Sequence, residues 1–341
     1  MSKSRTMALK NIVCIGGNSG PRLVFESTRP FPDVRVTAIV ATTDTGSSTG
    51  IIRKNFSIPA PGDLRALLAL MADPPETYRL LKDLFEYRLQ PALSTDLQNM
   101  AFGNLFITAL AEMLGDFDQA LEWLHQFLQV RGKVLPVSVE NAHICAELED
   151  GSIVREEYHV RQPHKPPIKR VFLENPKVQA HAACLQALQR ADLIVIGPGC
   201  LYTSQIACLI FPGIVEAIQK SSARKVYICN TTTYPGQTDG FTCLRHVEEI
   251  MAYLGKDVLD YVIINQGKPS RRVLDLYAQD GCVFMDLTPE MQAQIQSRNV
   301  QVLSGYFLEP ERTEKRKLHK LDTIRLDPGK IGPLLYQILV R

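Results

Sequence analysis

Five short apolar runs, each released into a loop of glycines or hydrogen-bonding side chains, constrain this chain more than any other feature. They are Asn11–Ile15, Val36–Ala41, Asp192–Ile196, Lys225–Cys229 and Asp260–Ile264. Runs this short and this apolar read as strands buried on both faces. Helical patterns separate them: Leu64–Ala72, Tyr78–Tyr87, Leu105–Leu114, Asp116–Leu128, Val178–Arg190, Phe211–Lys220 and His246–Leu254. Strands alternating with helices predict a mostly parallel sheet covered on both faces, and right-handed crossovers make it a doubly wound, Rossmann-like α/β fold. A chain of 341 residues, 45% apolar and 22% charged, can bury such a core. The pattern is interrupted over residues 133–173, which favour strands. There Glu149-Asp150-Gly151 reads as a hairpin turn between His143–Leu148 and Ile153–Val160, and Pro163, Pro166 and Pro167 break regular structure. The expected organisation is one domain over 7–341 with a β-rich insertion at 133–173, behind a disordered leader, Met1–Thr6.

In an open parallel sheet, ligands bind outside the carboxyl ends of the strands, where the strand order reverses. The five loops at those ends are Gly16–Gly20, Asp44–Gly50, Gly197-Pro198-Gly199 with Tyr202-Thr203-Ser204, Asn230–Asp239 and Asn265-Gln266-Gly267. Asp44-Thr-Gly-Ser-Ser-Thr-Gly50 holds one carboxylate, four hydroxyls and two glycines. Hydroxyls and glycine N–H groups suit phosphate oxygens, whereas a carboxylate suits ribose hydroxyls, base N–H groups or a metal. Gly16-Gly-Asn-Ser-Gly20 reads either as a tight strand-to-helix turn, with Pro21 at the first helical position, or as backbone N–H groups aimed at an anion. Asp63 reads as an N-cap of the following helix. Asn104 is a cap or an amide for base and ribose; Tyr202 is core filling or a stacking platform; Asp239 is a turn residue or an acid of the site. Arg53 and Arg65 are either surface charges or phosphate ligands, since each follows a glycine-containing loop closely enough to reach a phosphate.

Several classes are disfavoured. Ile15 stands where G-x-G-x-x-G needs its first glycine, no hydride-transfer pair is evident and no G-x-x-x-x-G-K-[ST] occurs, which leaves a nicotinamide oxidoreductase as a weak reading and argues against a P-loop enzyme. A formal charge of +2 argues against a nucleic-acid partner, and the basic cluster Arg312–Lys320 reads as a solvated connector. Eight scattered cysteines with no C-x-x-C pair argue against zinc and suit a reducing compartment; with no apolar run of membrane-spanning length, a cytoplasmic location with no membrane partner is expected.

Taken in order, six segments resemble the gluconeogenesis-factor family, of the same superfamily as 2-phospho-L-lactate transferase. They are Ile15–Gly20, Thr43–Gly50, Pro61-Gly-Asp-Leu-Arg65, Gly103-Asn-Leu-Phe106, Ala191–Gly199 with Leu201-Tyr-Thr-Ser204, and Cys229-Asn230 with Pro235-Gly-Gln-Thr-Asp-Gly240. The resemblance implies a Rossmann-like fold with a nucleotide-type ligand at the carboxyl edge of the sheet. In the gluconeogenesis-factor branch, the ligand is a UDP-sugar bound by a regulator of carbon metabolism and cell-envelope synthesis, and so of cell shape. In the transferase branch, a phospholactyl group passes from a nucleotide-activated donor to a deazaflavin with magnesium. The block Pro235–Gly240 favours the first branch. The chain departs from the family's Gly-Gly-Gly-Thr-Gly at Gly16–Gly20, where Asn18 adds a side chain, and from its consecutive acids at Thr43–Gly46, where one carboxylate remains. One acid fewer weakens a magnesium site.

The expected ligand surface comprises Gly16, Gly17, Asn18, Ser19, Gly20, Asp44, Gly46, Ser47, Ser48, Arg53, Arg65, Asn104, Gly197, Gly199, Tyr202 and Asn230. Gly17, Asn18 and Ser19 would face phosphates, Asp44 and Asn104 base or ribose. Were the protein a transferase, Asp44, Asp63 and Asp239 are the candidate acids. The expected partner is a small nucleotide ligand, with self-association left open.

Overall fold

The computed structural model describes residues 8–73, 80, 83–90, 97–311 and 324–341. The leader Met1–Thr6, the basic cluster Arg312–Lys320 and part of the helix expected over Tyr78–Tyr87 lie outside them, although residues 83–86 are helical.

Seven strands form one parallel sheet: β1 (Lys10–Gly16), β2 (Val34–Val40), β3 (Lys133–Pro136), β7 (Leu193–Ile196), β8 (Arg224–Ile228), β9 (Tyr261–Asn265) and β10 (Gln301–Gly305), in the order β10-β9-β8-β7-β1-β2-β3. Alternate residues of each strand enter opposite cores. Ile12 and Cys14 pack with Val36, Ala38, Leu193, Val195 and Val226, whereas Val13 and Ile15 pack with Ile39, Ile194, Ile196, Tyr227 and Val262. Burying each such side chain contributes about 1.5–3 kcal/mol, which is why a run of only four or five residues suffices. The fold is the doubly wound α/β arrangement expected.

The order reverses at β1, whose neighbours are β2 and β7. The loops after β1 and β7 therefore meet, and they meet backbone to backbone. A Cβ on Gly20 would lie 2.7 Å from the Gly197 Cα, and one on Gly197 would lie 2.4 Å from the Gly20 Cα. The helix that follows, Ser19–Thr28, starts two residues before Pro21, which occupies its third position; no N–H is needed there either.

A second, antiparallel sheet holds β4 (Ile144–Leu148), β5 (Ile153–Arg155) and β6 (Ile168–Leu173), in the order β5-β4-β6. The hairpin turn falls at Glu149-Asp150-Gly151, where Gly151 has φ +82° and Asp150 accepts from the Ser152 N–H at 2.9 Å. Two expectations shift. Residues 133–136 belong to the edge of the main sheet, and the strand expected over Ile153–Val160 stops at Arg155, so that Glu157–Val160 is a short helix. The small sheet docks on the main body through the Val171 N–H, which donates to the Tyr253 hydroxyl at 2.8 Å.

The edge strand β10 and the helices Arg271–Gln279, Pro289–Gln296 and Pro328–Val340 complete the fold. The last packs on Ser19–Thr28, with Tyr336 stacked on Phe31 at 4.3 Å between ring centres. Among the described residues no single helix is long and apolar enough to cross a membrane.

Candidate functional site

The loop after β1 turns its backbone toward a carboxylate. The helix Gly62–Met71 begins at Gly62 with Pro61 as its N-cap, so Asp63 lies in the first turn and is not the cap. Its side chain fills the space that a Cβ on Gly17 would need, 2.8 Å from the Asp63 Oδ2 and 2.9 Å from the Ser204 Oγ. The Asn18 N–H donates to it. Burial and the nearby Asp44 carboxylate push the Asp63 pKa up to about 7, against the pull of Arg65, the Asn18 N–H and Arg161. Part of the expected anion cradle thus holds an internal acid. Gly16 is buried, its carbonyl accepting from the Ala41 N–H at 3.0 Å, and Ser19 is exposed at the helix start.

The loop after β2 is anchored by its own acid. The Asp44 Oδ1 accepts from the Gly46 N–H at 2.9 Å, and the helix Ser47–Phe56 follows, with exposed Ser47 at φ +46°. Buried Ser48 accepts from the Asn104 Nδ2 at 3.2 Å. Asn104 lies inside the helix Phe102–Leu114, whose cap is Ala101; it is 2% exposed, and its Oδ1 has no hydrogen-bond partner. A buried acceptor left in that state costs about 1–3 kcal/mol, which a ligand donor offsets.

Beyond Ser204 the wall continues along β7 and β8. The Asn230 side chain grips both ends of Gly199: its Oδ1 accepts from the Gly199 N–H at 3.0 Å and its Nδ2 donates to the Gly199 carbonyl at 2.6 Å. The Gln205 Nε2 donates to the Gly197 carbonyl at 2.8 Å and to the Asn230 Oδ1 at 3.2 Å.

Gly17, Asn18, Asp44, Gly46, Ser48, Asp63, Asn104, Gly199 and Asn230 therefore share one sheet edge. Six other expected residues are spent elsewhere. Arg53 is 2% exposed and ties three segments together, donating to the carbonyls of Thr43 at 2.9 Å and Asp44 at 3.1 Å, to the Asn141 Oδ1 at 2.7 Å and to the Ala142 carbonyl. Burial lowers its pKa to about 10 against Asp44, Glu156 and Glu157, so it stays charged at neutral pH but has no free face for a phosphate. Arg65 turns to the Phe85 carbonyl and to Glu86, both at 2.8 Å. Tyr202 is core filling: it is fully buried in the π-helical turn Leu201–Ile206, edge-on to Phe241. Asp239 is an exposed turn residue accepting from the Gly236 N–H at 2.7 Å. Gly20, like Gly197, serves the contact between backbones.

Sequence reasoning missed the contribution of residues 133–173. Glu157, 4% exposed, faces Asp44, and the Thr45 N–H donates to it. In return the Tyr158 N–H donates to the Thr45 Oγ1 at 2.9 Å. Burial first, and Asp44 second, raise the Glu157 pKa well above the usual carboxylate range, while Arg161 at 3.5 Å opposes them. Burial works against the charge of Arg161, but Glu157, Tyr234 and Cys200 outweigh it and raise its pKa. Its Nη2 donates to the Tyr234 hydroxyl at 2.7 Å. The i, i+4 spacing of Glu157 and Arg161 was the available signal, but it lay in a stretch that reads as strand.

The acids are poorly suited to a metal held by protein alone. Asp63 is engaged by the Asn18 N–H and Asp44 by the Gly46 N–H, and among the described residues no group of three His, Cys, Asp or Glu side chains is arranged around one point.

The family model described as 2-phospho-L-lactate transferase CofD matches residues 12–308. A gluconeogenesis factor of Halalkalibacterium halodurans is 38% identical over 333 residues, 97% of each chain. One from Bacillus subtilis is 33% identical over 328 residues, 96% of this chain and 98% of that one. A crystal structure of a UPF0052-family protein from Bacillus halodurans superposes with a TM-score of 0.86 at 35% identity, covering 96% of this chain and 99% of the other.

Proposed function

We propose that this chain, which belongs to the 2-phospho-L-lactate transferase CofD family, binds a nucleotide-linked phosphoester at the carboxyl edge of its sheet and acts through it in carbon metabolism. The observation that carries this reading is the convergence on that edge of helix N-termini with buried polar atoms that have no partner, Asn104 Oδ1 and Glu157 Oε2 among them. Helix N-termini favour the phosphates, and the orphaned acceptors call for O–H and N–H donors from a sugar, ribose or base. With Arg53 and Arg65 engaged internally, backbone N–H groups at the exposed Ser19 and Ser47 are the phosphate ligands in this reading. The name shared by the relatives, gluconeogenesis factor, supports a carbon-metabolism role. A UDP-sugar is the finer form of the proposal, and the cytoplasm its setting.

A second reading, group transfer of the CofD type, is favoured by Asp63. A carboxyl with a pKa of about 7 is well placed to accept a proton near neutrality. In this reading Asp63 takes the proton of an acceptor hydroxyl as its oxygen bonds to phosphorus and the nucleotide departs. Asp44 raises the pKa of Asp63 and so tunes the base. No step is assigned to magnesium, since the acids do not frame a site for it.

A melting scan against UDP-sugars, UDP, GDP and GTP, each with and without magnesium, tests both, because a bound ligand raises stability by mass action. A shift with UDP-sugars and no turnover supports the binding reading. A shift confined to guanosine nucleotides, with release of nucleotide from an activated donor that Asp63→Asn abolishes, supports transfer instead. No shift with any nucleotide rejects both.

A further inference from the structure

The residue pair that the proposed ligand site leaves unexplained is Asp44 with Glu157. Glu157 is 4% exposed and lies in hydrogen-bonding contact with Asp44, while its buried Oε2 is left without a hydrogen-bond partner. Burial first, and the neighbouring Asp44 carboxylate second, favour the protonated form of Glu157. The backbone that delivers Glu157 is itself costly. Glu156 adopts φ +67° and ψ +141°, a conformation that only glycine reaches freely.

A purely structural role accounts for neither cost. The segment is already fastened by the Tyr158 N–H to the Thr45 Oγ1 at 2.9 Å, and that bond needs no buried acid beside Asp44. Its ion pair with Arg161 is a loose one at 3.5 Å, and Arg161 has a shorter bond to the Tyr234 hydroxyl. Buried, mutually repelling acids on strained backbone concentrate where a protein meets its ligand. A second feature points the same way. Asn104, 2% exposed and on the other side of Ser48, offers an Oδ1 with no partner.

The geometry points to Glu157 as a ligand-reading residue that, together with Asp44, recognises a vicinal diol. This rests on the nucleotide reading above and deepens it. A protonated Glu157 beside Asp44 offers one O–H donor and several acceptor lone pairs. Two adjacent hydroxyls match that set, each donating to one acid and one of them accepting from the Glu157 O–H. A phosphate does not match, since it brings further negative charge to two acids. The diol belongs either to the ribose or to a hexose attached to the diphosphate; the chemistry recognised is the same.

The test titrates the full chain, as wild type, Glu157→Gln and Glu157→Ala, with UDP, 2′-deoxy-UDP and UDP-glucose, and with the same series built on guanosine. Glu157→Gln keeps the shape and removes the acid. If the ribose is read, Glu157→Gln weakens the ribonucleotide by at least about tenfold and leaves the 2′-deoxy analogue unchanged. If the hexose is read, the preference for UDP-glucose over UDP collapses by a similar factor while UDP itself is unaffected. Glu157→Ala shows the same selective loss and controls for contacts made by the glutamine. Wild-type affinity for all probes in both folded variants overturns the assignment, and so does an equal loss for every probe, which marks Glu157 as scaffold. Wild-type protein that binds no nucleotide overturns the site reading itself, and this inference with it.

Discussion

The main sheet and the insertion build their halves of the cleft by opposite means. The sheet contributes backbone: Gly17 and Asn18 curl around Asp63, Gly199 is gripped by Asn230, and the switch point closes by direct contact of Gly20 with Gly197. The insertion contributes charged side chains, Glu157 and Arg161, carried by a four-residue helix on strained backbone. A fully paired parallel sheet can fix a backbone group without a side chain; the small antiparallel sheet spends one face, Ile144, Ala146, Leu148 and Val171, on the shared core and carries Glu157 and Arg161 in the connection after β5. Under the proposed function the first half supplies rigidity and the second recognition, and each can be tested by perturbing one half alone.

The largest effect is expected at the switch point. Gly20→Ala or Gly197→Ala places a methyl within 3 Å of main-chain atoms that cannot move aside. Each should cost more than about 3 kcal/mol in a urea titration, or leave no folded protein. Asp44→Ala comes next: it should abolish any ligand-induced rise in Tm while the fold persists. Asn230→Ala, on the sheet half, frees both ends of Gly199 and should lower stability by about 2 kcal/mol and weaken ligand binding in parallel. If binding is unchanged in that variant, the backbone of Gly199 is not part of the ligand surface.

A smaller effect separates the acids by pH. Asp63 has its pKa raised in the folded state, so between its ordinary value near 4 and about 7 the folded protein binds more protons than the unfolded chain. Its contribution to stability is present at the acidic end and is lost as pH rises through 7. In the absence of ligand, Tm measured from pH 5.5 to 8 should therefore fall more steeply in wild type than in Asp63→Asn. A parallel pair of curves would show that Asp63 titrates normally. The smallest effect belongs to Asp239→Ala, which removes one exposed turn contact and should change stability by under about 1 kcal/mol with no change in binding.

Strands that face both cores were readable because four or five consecutive apolar residues have no other use in so short a run. The edge strands were not. β10, Gln-Val-Leu-Ser-Gly, is half-buried and carries no such run, and β3 ends at Pro136 just where the chain departs into the insertion. The loops at the sheet edge were legible from their glycines and acids, as at Gly46 and Asp44, but the acid that Gly17 meets, Asp63, was not, since the loop reads as a phosphate cradle. The site was illegible where partners are backbone carbonyls distant in sequence: Arg53 has the spacing of a phosphate ligand and the surroundings of a core residue. Glu157 fails for the converse reason, since only packing reveals that one of two adjacent glutamates is buried.

The insertion leaves the main sheet after β3 and returns to it before β7, so it interrupts the sheet once, and it is tied to the main body by the reciprocal Thr45 and Tyr158 contacts, by Arg53 to Asn141 and Ala142, by Arg161 to Tyr234 and by Val171 to Tyr253. A segment that leaves and rejoins the sheet once can vary on its exposed side without re-routing a strand. Relatives could diverge by rewriting its exposed positions, leaving the buried face of Ile144, Ala146, Leu148 and Val171 and the glycines of the switch point, and hence the fold, untouched.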